Sequence, residues 1–206
     1  MADSRATWRD RLGPQPGGRA PVPGRLVLVQ AFINSHYDIE RDHGADLFAT
    51  RDSLQRWLDR RELIAPGESP ARADLRRAVV VREALRSIAQ ANGLPGARAP
   101  GAALAVLEEA AHGAALEVRF ARCDPPSFVA GPGAGVDRAV ALMLAITATA
   151  MIDGTWGRLK VCPGDHCGWA FYDHSRNQSG RWCSMAVCGG RAKARTHYRR
   201  RGGGTD

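Results

Sequence analysis

Cys162-Pro-Gly-Asp-His-Cys167 and, fifteen residues on, Cys183-Ser-Met-Ala-Val-Cys188 form two C-x4-C pairs near the end of a 206-residue chain. Two short-spaced pairs separated by a hairpin's length of chain bring four sulfurs around one tetrahedral ion. Thiolates select soft metals, and zinc is the usual occupant of such a shell. Four cysteine ligands leave no open vertex for water, so the expected role of Cys162, Cys167, Cys183 and Cys188 is structural and not catalytic. His166 sits beside Cys167 as a substitute ligand, which a complete sulfur shell does not require. Cys123, the fifth cysteine, stands apart and reads as a small apolar residue.

The residues between the pairs fit a small module. Trp169, Phe171 and Tyr172 suggest a strand with aromatic cover, residues 175–180 a polar turn, and Arg181-Trp182 a return to Cys183. The aromatics read as a mini-core over the metal. Stacking of Trp182 or Tyr172 on a nucleobase is the alternative. After Cys188 the chain continues Gly189-Gly-Arg191-Ala-Lys193-Ala-Arg195-Thr-His-Tyr-Arg199-Arg200-Arg201, which has helix-forming composition. Arg191, Arg195 and Arg199 recur every four residues, with Lys193 and Arg200 to the sides. Like charges at that spacing repel unless an anion meets them, and a phosphate backbone is such an anion. Charge location agrees with this. The chain carries a net +8, and residues 155–206 hold ten cations against three anions, leaving seven of the eight there. A basic block on an otherwise neutral protein points to a polyanion, or else to a solvated tail.

Working back from the finger, residues 139–152 form the longest apolar run, broken by Thr147 and Thr149 and too short to span a bilayer, and residues 136–155 read as a largely apolar core helix. Leu116, Val118 and Phe120 alternate with Glu117 and Arg119 as in a strand, and residues 127–130 suit its hairpin partner. Residues 102–112 suggest a helix ended by Gly113. A longer one is expected from a Ser69-Pro70 start to an Asn92-Gly93 stop. Thr50 is a candidate N-cap, with Leu54, Trp57 and Leu58 on one face. Residues 26–33 begin either a helix or a strand. Residues 1–24 are rich in Gly and Pro, lack the apolar stretch of a signal peptide, and read as a flexible lead-in. The expected fold class is therefore mostly α with a small β-hairpin (α+β). A helical domain over 25–155 precedes a four-cysteine zinc finger over 156–201, treble-clef-like with its basic helix, and a flexible tail over 202–206. With reduced thiols and no targeting segment, a cytoplasmic protein is expected, associated with the nucleoid if it binds DNA.

The run from Cys162 through Cys167-Gly-Trp-Ala-Phe-Tyr-Asp, Ser175-Arg176-Asn177 and Arg181-Trp182-Cys183 to Cys188-Gly-Gly-Arg191-Ala-Lys193 resembles the CGNR zinc finger. Gly190 stands where that family has Asn. Ala31-Phe-Ile-Asn34-Ser35, Asp46-Leu-Phe-Ala-Thr50 and Leu54-Gln-Arg-Trp57-Leu58 are similar to the ABATE domain that accompanies this finger, a family described as stress-induced transcription regulators. The resemblance implies a DNA-binding transcription regulator.

Residues and resemblance together lead us to expect a zinc-dependent nucleic-acid binder that is not an enzyme. One structural Zn2+ would sit on the four cysteines, and Arg181, Arg191, Lys193, Arg195, Arg199 and Arg200 would meet DNA. The N-terminal domain would sense an effector or form a homodimer, without membrane partners. An RNA binder using Trp182 beside Arg181, and a protein-docking module using Trp169 and Met185, are the competing readings. The polar segment containing Asn34, His36, Asp38, Asp42, His43 and Asp46 has no catalytic spacing. Within it Asn34, Ser35 and His36 are candidates for a ligand pocket.

Overall fold

The computed structural model describes residues 18–37, 46–120, 126–131 and 135–202, with side chains described as far as Tyr198. Asp38, Asp42, His43 and Cys123 lie outside the described residues.

The apolar stretch that fits either helix or strand is a helix, α1 (Leu26–Ile33). Every residue in it but Ala31 is buried, because it runs through the middle of the body with helices α3 (Arg72–Ala91) and α5 (Gly135–Ile152) and strand β4 (Ala170–Tyr172) around it. Helix α2 (Arg51–Asp59) starts at the expected cap. The Thr50 hydroxyl accepts from the Ser53 N–H at 3.1 Å, and the Ser53 hydroxyl accepts from the Thr50 N–H at 3.0 Å. This reciprocal arrangement satisfies two amides that a helix start otherwise leaves open. The helix buries Leu54, Trp57 and Leu58, and Trp57 meets Phe32 and Phe48 with ring centroids 5.7 and 5.3 Å away.

Helix α3 (Arg72–Ala91) starts two residues later than Ser69-Pro70 suggests. The Ser69 hydroxyl donates to Gln55 of α2, so it is spent on a tether, and Asp74 accepts from the Ala71 N–H at 2.8 Å instead. Helix α4 (Gly101–Gly113) packs along α3. Strands β1 (Leu116–Arg119) and β2 (Ser127–Ala130) form the expected antiparallel hairpin, with Val118 opposite Phe128. Helix α5 (Gly135–Ile152) has 18 residues and is apolar enough to cross a membrane by length and composition, contrary to the shorter run expected. Over half of it is buried in the core, including Val140, Met143 and Leu144. Thr147 and Thr149 are accommodated because their hydroxyls donate to the carbonyls of Met143 and Ala145, both at 2.8 Å.

A 3-10 turn (Trp156–Arg158) leads into β3 (Leu159–Val161), which pairs antiparallel with β4 (Ala170–Tyr172). All six positions of these strands are buried. Leu159, Val161, Ala170 and Tyr172 belong to the same apolar core as α1, α3 and α5, so body and finger share one core across the short exposed turn at 151–154. The lead-in also differs from expectation over its described part. Val22 is buried, and Arg19 is held against the finger.

Candidate metal centre and nucleic-acid interface

The first cysteine pair caps the β3–β4 hairpin. The Cys162 N–H donates to the Trp169 carbonyl at 2.9 Å, closing the loop in which both sulfurs turn inward. Gly164 keeps the loop close to the second pair, since a Cβ there would sit 3.2 Å from the Cys188 sulfur, tighter than ordinary contact. Gly168 takes a left-handed φ of 62°, and its carbonyl accepts from Arg86 at 2.6 Å. The second pair sits where a helix begins. Ser184 is extended and caps the turn through its hydroxyl, which accepts from the Val187 N–H at 3.3 Å. A π-helical turn (Met185–Gly189) then runs directly into α6 (Gly190–Gly202). A hairpin knuckle followed by ligands on the first turn of a helix is the treble-clef-like order expected.

The four sulfurs lie within 4.8 Å of one another, and Cys183 is 3.6 Å from both Cys167 and Cys188. A tetrahedron with Zn–S bonds near 2.3 Å has edges of roughly 3.8 Å, so the cage fits zinc. Cys162, Cys183 and Cys188 are buried and Cys167 partly so. Among the described residues these four are the group able to hold a metal, and His166 is not one of its members. The sulfurs resist sharing charge without an ion. The Cys162 thiolate accepts from the Cys167 and Cys183 thiols, which holds it down to about 2 and pushes Cys167 up to about 12. Contacts with Cys162 push Cys183 up as well, and burial pushes Cys188 up. A dication among them inverts this, because coordinated thiols are deprotonated outright. Zinc loading therefore releases protons, and the filled centre is a dianion next to the positive end of α6. The centre holds one structural zinc.

Phe171 is fully buried against the cysteines, with Trp169 and Trp182 beside it. This is the mini-core expected, except that Tyr172 belongs to the body's core and is too buried to stack on a base. Several polar side chains that sequence reasoning leaves without a role position the finger. Arg19 lies over the Phe171 ring at 4.7 Å and donates to the carbonyls of Cys183 and Trp182, both at 2.7 Å. Lys160, buried within β3, donates to Asp173 at 2.8 Å and to the carbonyls of Gln178 and Gly180. Burial alone raises the Asp173 carboxyl. Lys160, Ser175 and the Gly180 amide outweigh it and hold the group well below the usual carboxylate range. Gly180 is required for this approach, since a Cβ would fall 2.7 Å from an Asp173 oxygen. A lone lysine flanked by apolar residues and an aspartate thirteen positions later is a weak signal, and only the hairpin register makes it a pair.

Asn34, Ser35 and His36 serve this same junction. Asn34 Nδ2 donates to the Ala170 carbonyl at 2.9 Å, and Asn34 Oδ1 accepts from the Ala170 N–H at 2.7 Å. Ser35 accepts from Arg82, which also forks onto Asp46 at 2.6 and 2.9 Å. Arg86 donates to the carbonyls of Ile33 and His36 while it holds Gly168. Burial raises the Asp46 and Glu83 carboxyls, but Arg82 and Arg86 outweigh it and keep both below their ordinary range. Asn34, with Arg86, fastens the body to the metal knuckle, and Ser35, Arg82 and Asp46 brace it from the body side.

Helix α6 projects from the centre with Arg191 and Lys193 exposed and Arg195 half-exposed. Arg195 pairs with Asp165 of the first knuckle at 3.1 Å. Lys193 and His197 flank an open groove of about 360 Å³ beside Trp182, and Arg181 lies 5.9 Å from the Trp182 ring. Arg200 follows Lys193 by seven residues along the helix, while Arg199 continues the line of Arg191 and Arg195; the side chains of Arg199 and Arg200 lie outside the described residues. Among the described side chains, Arg191 and Arg195 thus share one side of the helix and Lys193 lies on another. Gly190 has ordinary helical φ, and a Cβ there would meet only the Met185 carbonyl at 3.7 Å, so an asparagine fits the backbone.

Residues 158–201 match the CGNR zinc finger, and residues 26–154 match ABATE, described as "Putative stress-induced transcription regulator". No curated protein matches the chain. Four clustered cysteines on a knuckle and a helix start, fastened to a helical body that fills most of the chain, carry the assignment: the protein belongs to the ABATE family and ends in a CGNR zinc finger.

Proposed function

We propose that this protein is a DNA-binding transcription regulator without a catalytic step, reading duplex DNA with α6. The observation that carries the reading is the anchoring of that helix. The segment that opens it, residues 183–188, supplies two ligands to the zinc, and Arg191 and Lys193 reach solvent from its first turns. The Arg195–Asp165 pair does not oppose this, since a surface ion pair is worth little and exchanges readily for phosphate. The body supplies the input. An open cavity of about 380 Å³ between the start of α1, β2 and α5, lined by Leu26, Phe128, Ile146 and Asp153 among others, is the place for a small effector. The groove beside Trp182, with Arg181 near its ring, favours a second reading in which an unpaired RNA base stacks there.

Anisotropy of labelled duplex from the protein's own promoter, against scrambled duplex and single-stranded RNA, across a salt series with zinc present, tests the proposal. The expected result is promoter-preferring duplex affinity that falls steeply with salt. Lys193→Ala should reduce the salt slope by about one if it meets phosphate. Preference for RNA would establish the second reading. Absence of binding at low salt by the folded, zinc-loaded protein would overturn both.

A further inference from the structure

Strand β1 ends in side chains that a lone hairpin does not need. Leu116 is half-buried, but Glu117, Val118 and Arg119 are exposed, and Phe120, just past the strand, is 78% exposed. The strand has β2 on one side only. The Gly131 N–H donates to the Ala115 carbonyl at 2.9 Å, so the bonded positions towards β2 are 115, 117 and 119. In an antiparallel ladder these alternate, so the backbone groups of Leu116, Val118 and Phe120 point the other way, to the outer edge. Among the described residues no hydrogen bond reaches that edge. Exposed edges are usually blunted by proline, lysine or a bulge. Residues 116–120 contain none of these, and the charges they do carry, Glu117 and Arg119, are opposite in sign and so need not repel a second copy.

We propose that the outer edge of β1 pairs with β1 of a second copy of this chain, antiparallel about a two-fold axis through Val118. The register follows from the residues. Pairing must place outward-pointing positions opposite one another, which restricts it to Leu116, Val118 and Phe120 facing the same set. A register shifted by two in one direction sets Glu117 against Glu117, and in the other Arg119 against Arg119. Only the register centred on Val118 sets Glu117 against Arg119 twice, with Leu116 against Phe120 twice and Val118 against itself. Opposite charges and apolar pairs directly across a ladder each stabilise it, and like charges there destabilise it. A surface that is self-complementary about a two-fold is what a closed dimer requires. The product is one four-stranded antiparallel sheet, with Leu116, Val118 and Phe120 of both copies on a common face. The pairing is independent of nucleic-acid binding and stands whether or not α6 reads DNA.

Sedimentation velocity on the full zinc-loaded chain, over a wide concentration range, tests the pairing. The mass should rise from one chain's towards two chains' with concentration. Glu117→Arg alone sets arginine against arginine and should remain monomeric, as should Arg119→Glu alone. Mixed in equal amounts, these two variants complement each other and should associate. The double variant, Glu117→Arg with Arg119→Glu, should recover the wild-type behaviour. Val118→Pro removes an outward N–H without touching the β2 side and should also be monomeric, with circular dichroism confirming its fold. Wild-type protein that keeps one chain's mass throughout would overturn the proposal. So would a dimer that survives both Glu117→Arg and Val118→Pro, since its contact would lie elsewhere.

Discussion

At the scale of single residues, two buried charges decide how well the finger is held. Lys160 and Asp173 are both nearly inaccessible, and each supplies the other's counter-charge. Removing one partner leaves a buried charge uncompensated, which costs about 3–5 kcal/mol. Asp173→Asn should therefore lower stability by that order at neutral pH, read as a shift in the denaturant midpoint. The pH dependence has a definite sign. The folded carboxyl lies below its unfolded value, so its contribution is complete above the unfolded pKa, near 4, and is lost as pH falls towards the folded one. The stability difference between wild type and Asp173→Asn should thus be constant from pH 7 to about 5 and shrink below about 4. Comparing the two proteins also cancels the zinc loss that acid causes in both. The cysteines behave differently, because each is one of four equivalent bonds. Cys183→Ser replaces the sulfur that lies 3.6 Å from two others, so zinc content should fall from one per chain to near none, measured by elemental analysis after desalting. The apparent free energy at stake is on the order of 10 kcal/mol. A serine variant that keeps a full equivalent of zinc would show that another residue completes the shell.

At the scale of elements, α6 carries a tension between its ends. The π-helical turn and α6 are continuous, so Gly190 sits in a helix interior with nothing to gain from its missing side chain. Glycine there costs roughly 0.5–1 kcal/mol relative to alanine. Gly190→Ala should raise stability by that amount without altering zinc content, whereas a loss of zinc would mean the turn needs the glycine. What is legible in the sequence follows the same division. The ligands, the Thr50 cap and the β1–β2 alternation are readable because each is a local pattern of residue type and spacing. The start of α3 is not, because Ser69 has the right chemistry for a cap but spends it on Gln55, a residue brought near only by the tertiary fold. Asn34 resembles a ligand group for the same reason. An exposed asparagine and an asparagine clamped on a distant strand are identical in sequence. Arg19, in a stretch whose Gly and Pro content reads as disorder, gives no local sign of reaching the carbonyls of Trp182 and Cys183.

At the scale of the whole molecule, the question is whether body and finger unfold together. A small metal module joined by a linker would melt when stripped of zinc and leave its neighbour intact. Here the finger's two strands complete the body's core, Asn92 donates to the carbonyls of Trp156 and Leu159 at 2.9 Å each, and Arg86 joins α1, α3 and the knuckle through three carbonyls. Losing the zinc should therefore loosen β3 and β4 and expose apolar surface of α1 and α3. Chelation should lower the melting temperature of the body itself, read by far-ultraviolet circular dichroism, to which the body's helices contribute most, with native protein showing one transition. Asn34 is the place to cut the coupling. Asn34→Ala leaves the Ala170 N–H without its partner, at about 1–3 kcal/mol, and leaves the Ala170 carbonyl to Gln30 alone, while touching neither the zinc shell nor the core. If the coupling runs through this clamp, the variant should keep its zinc but its body's melting transition should respond less to chelation than that of wild type. A body whose transition is indifferent to chelation in the wild type would mean that the shared core, though continuous in space, is not cooperative. The finger would then be free to move while the body stays folded.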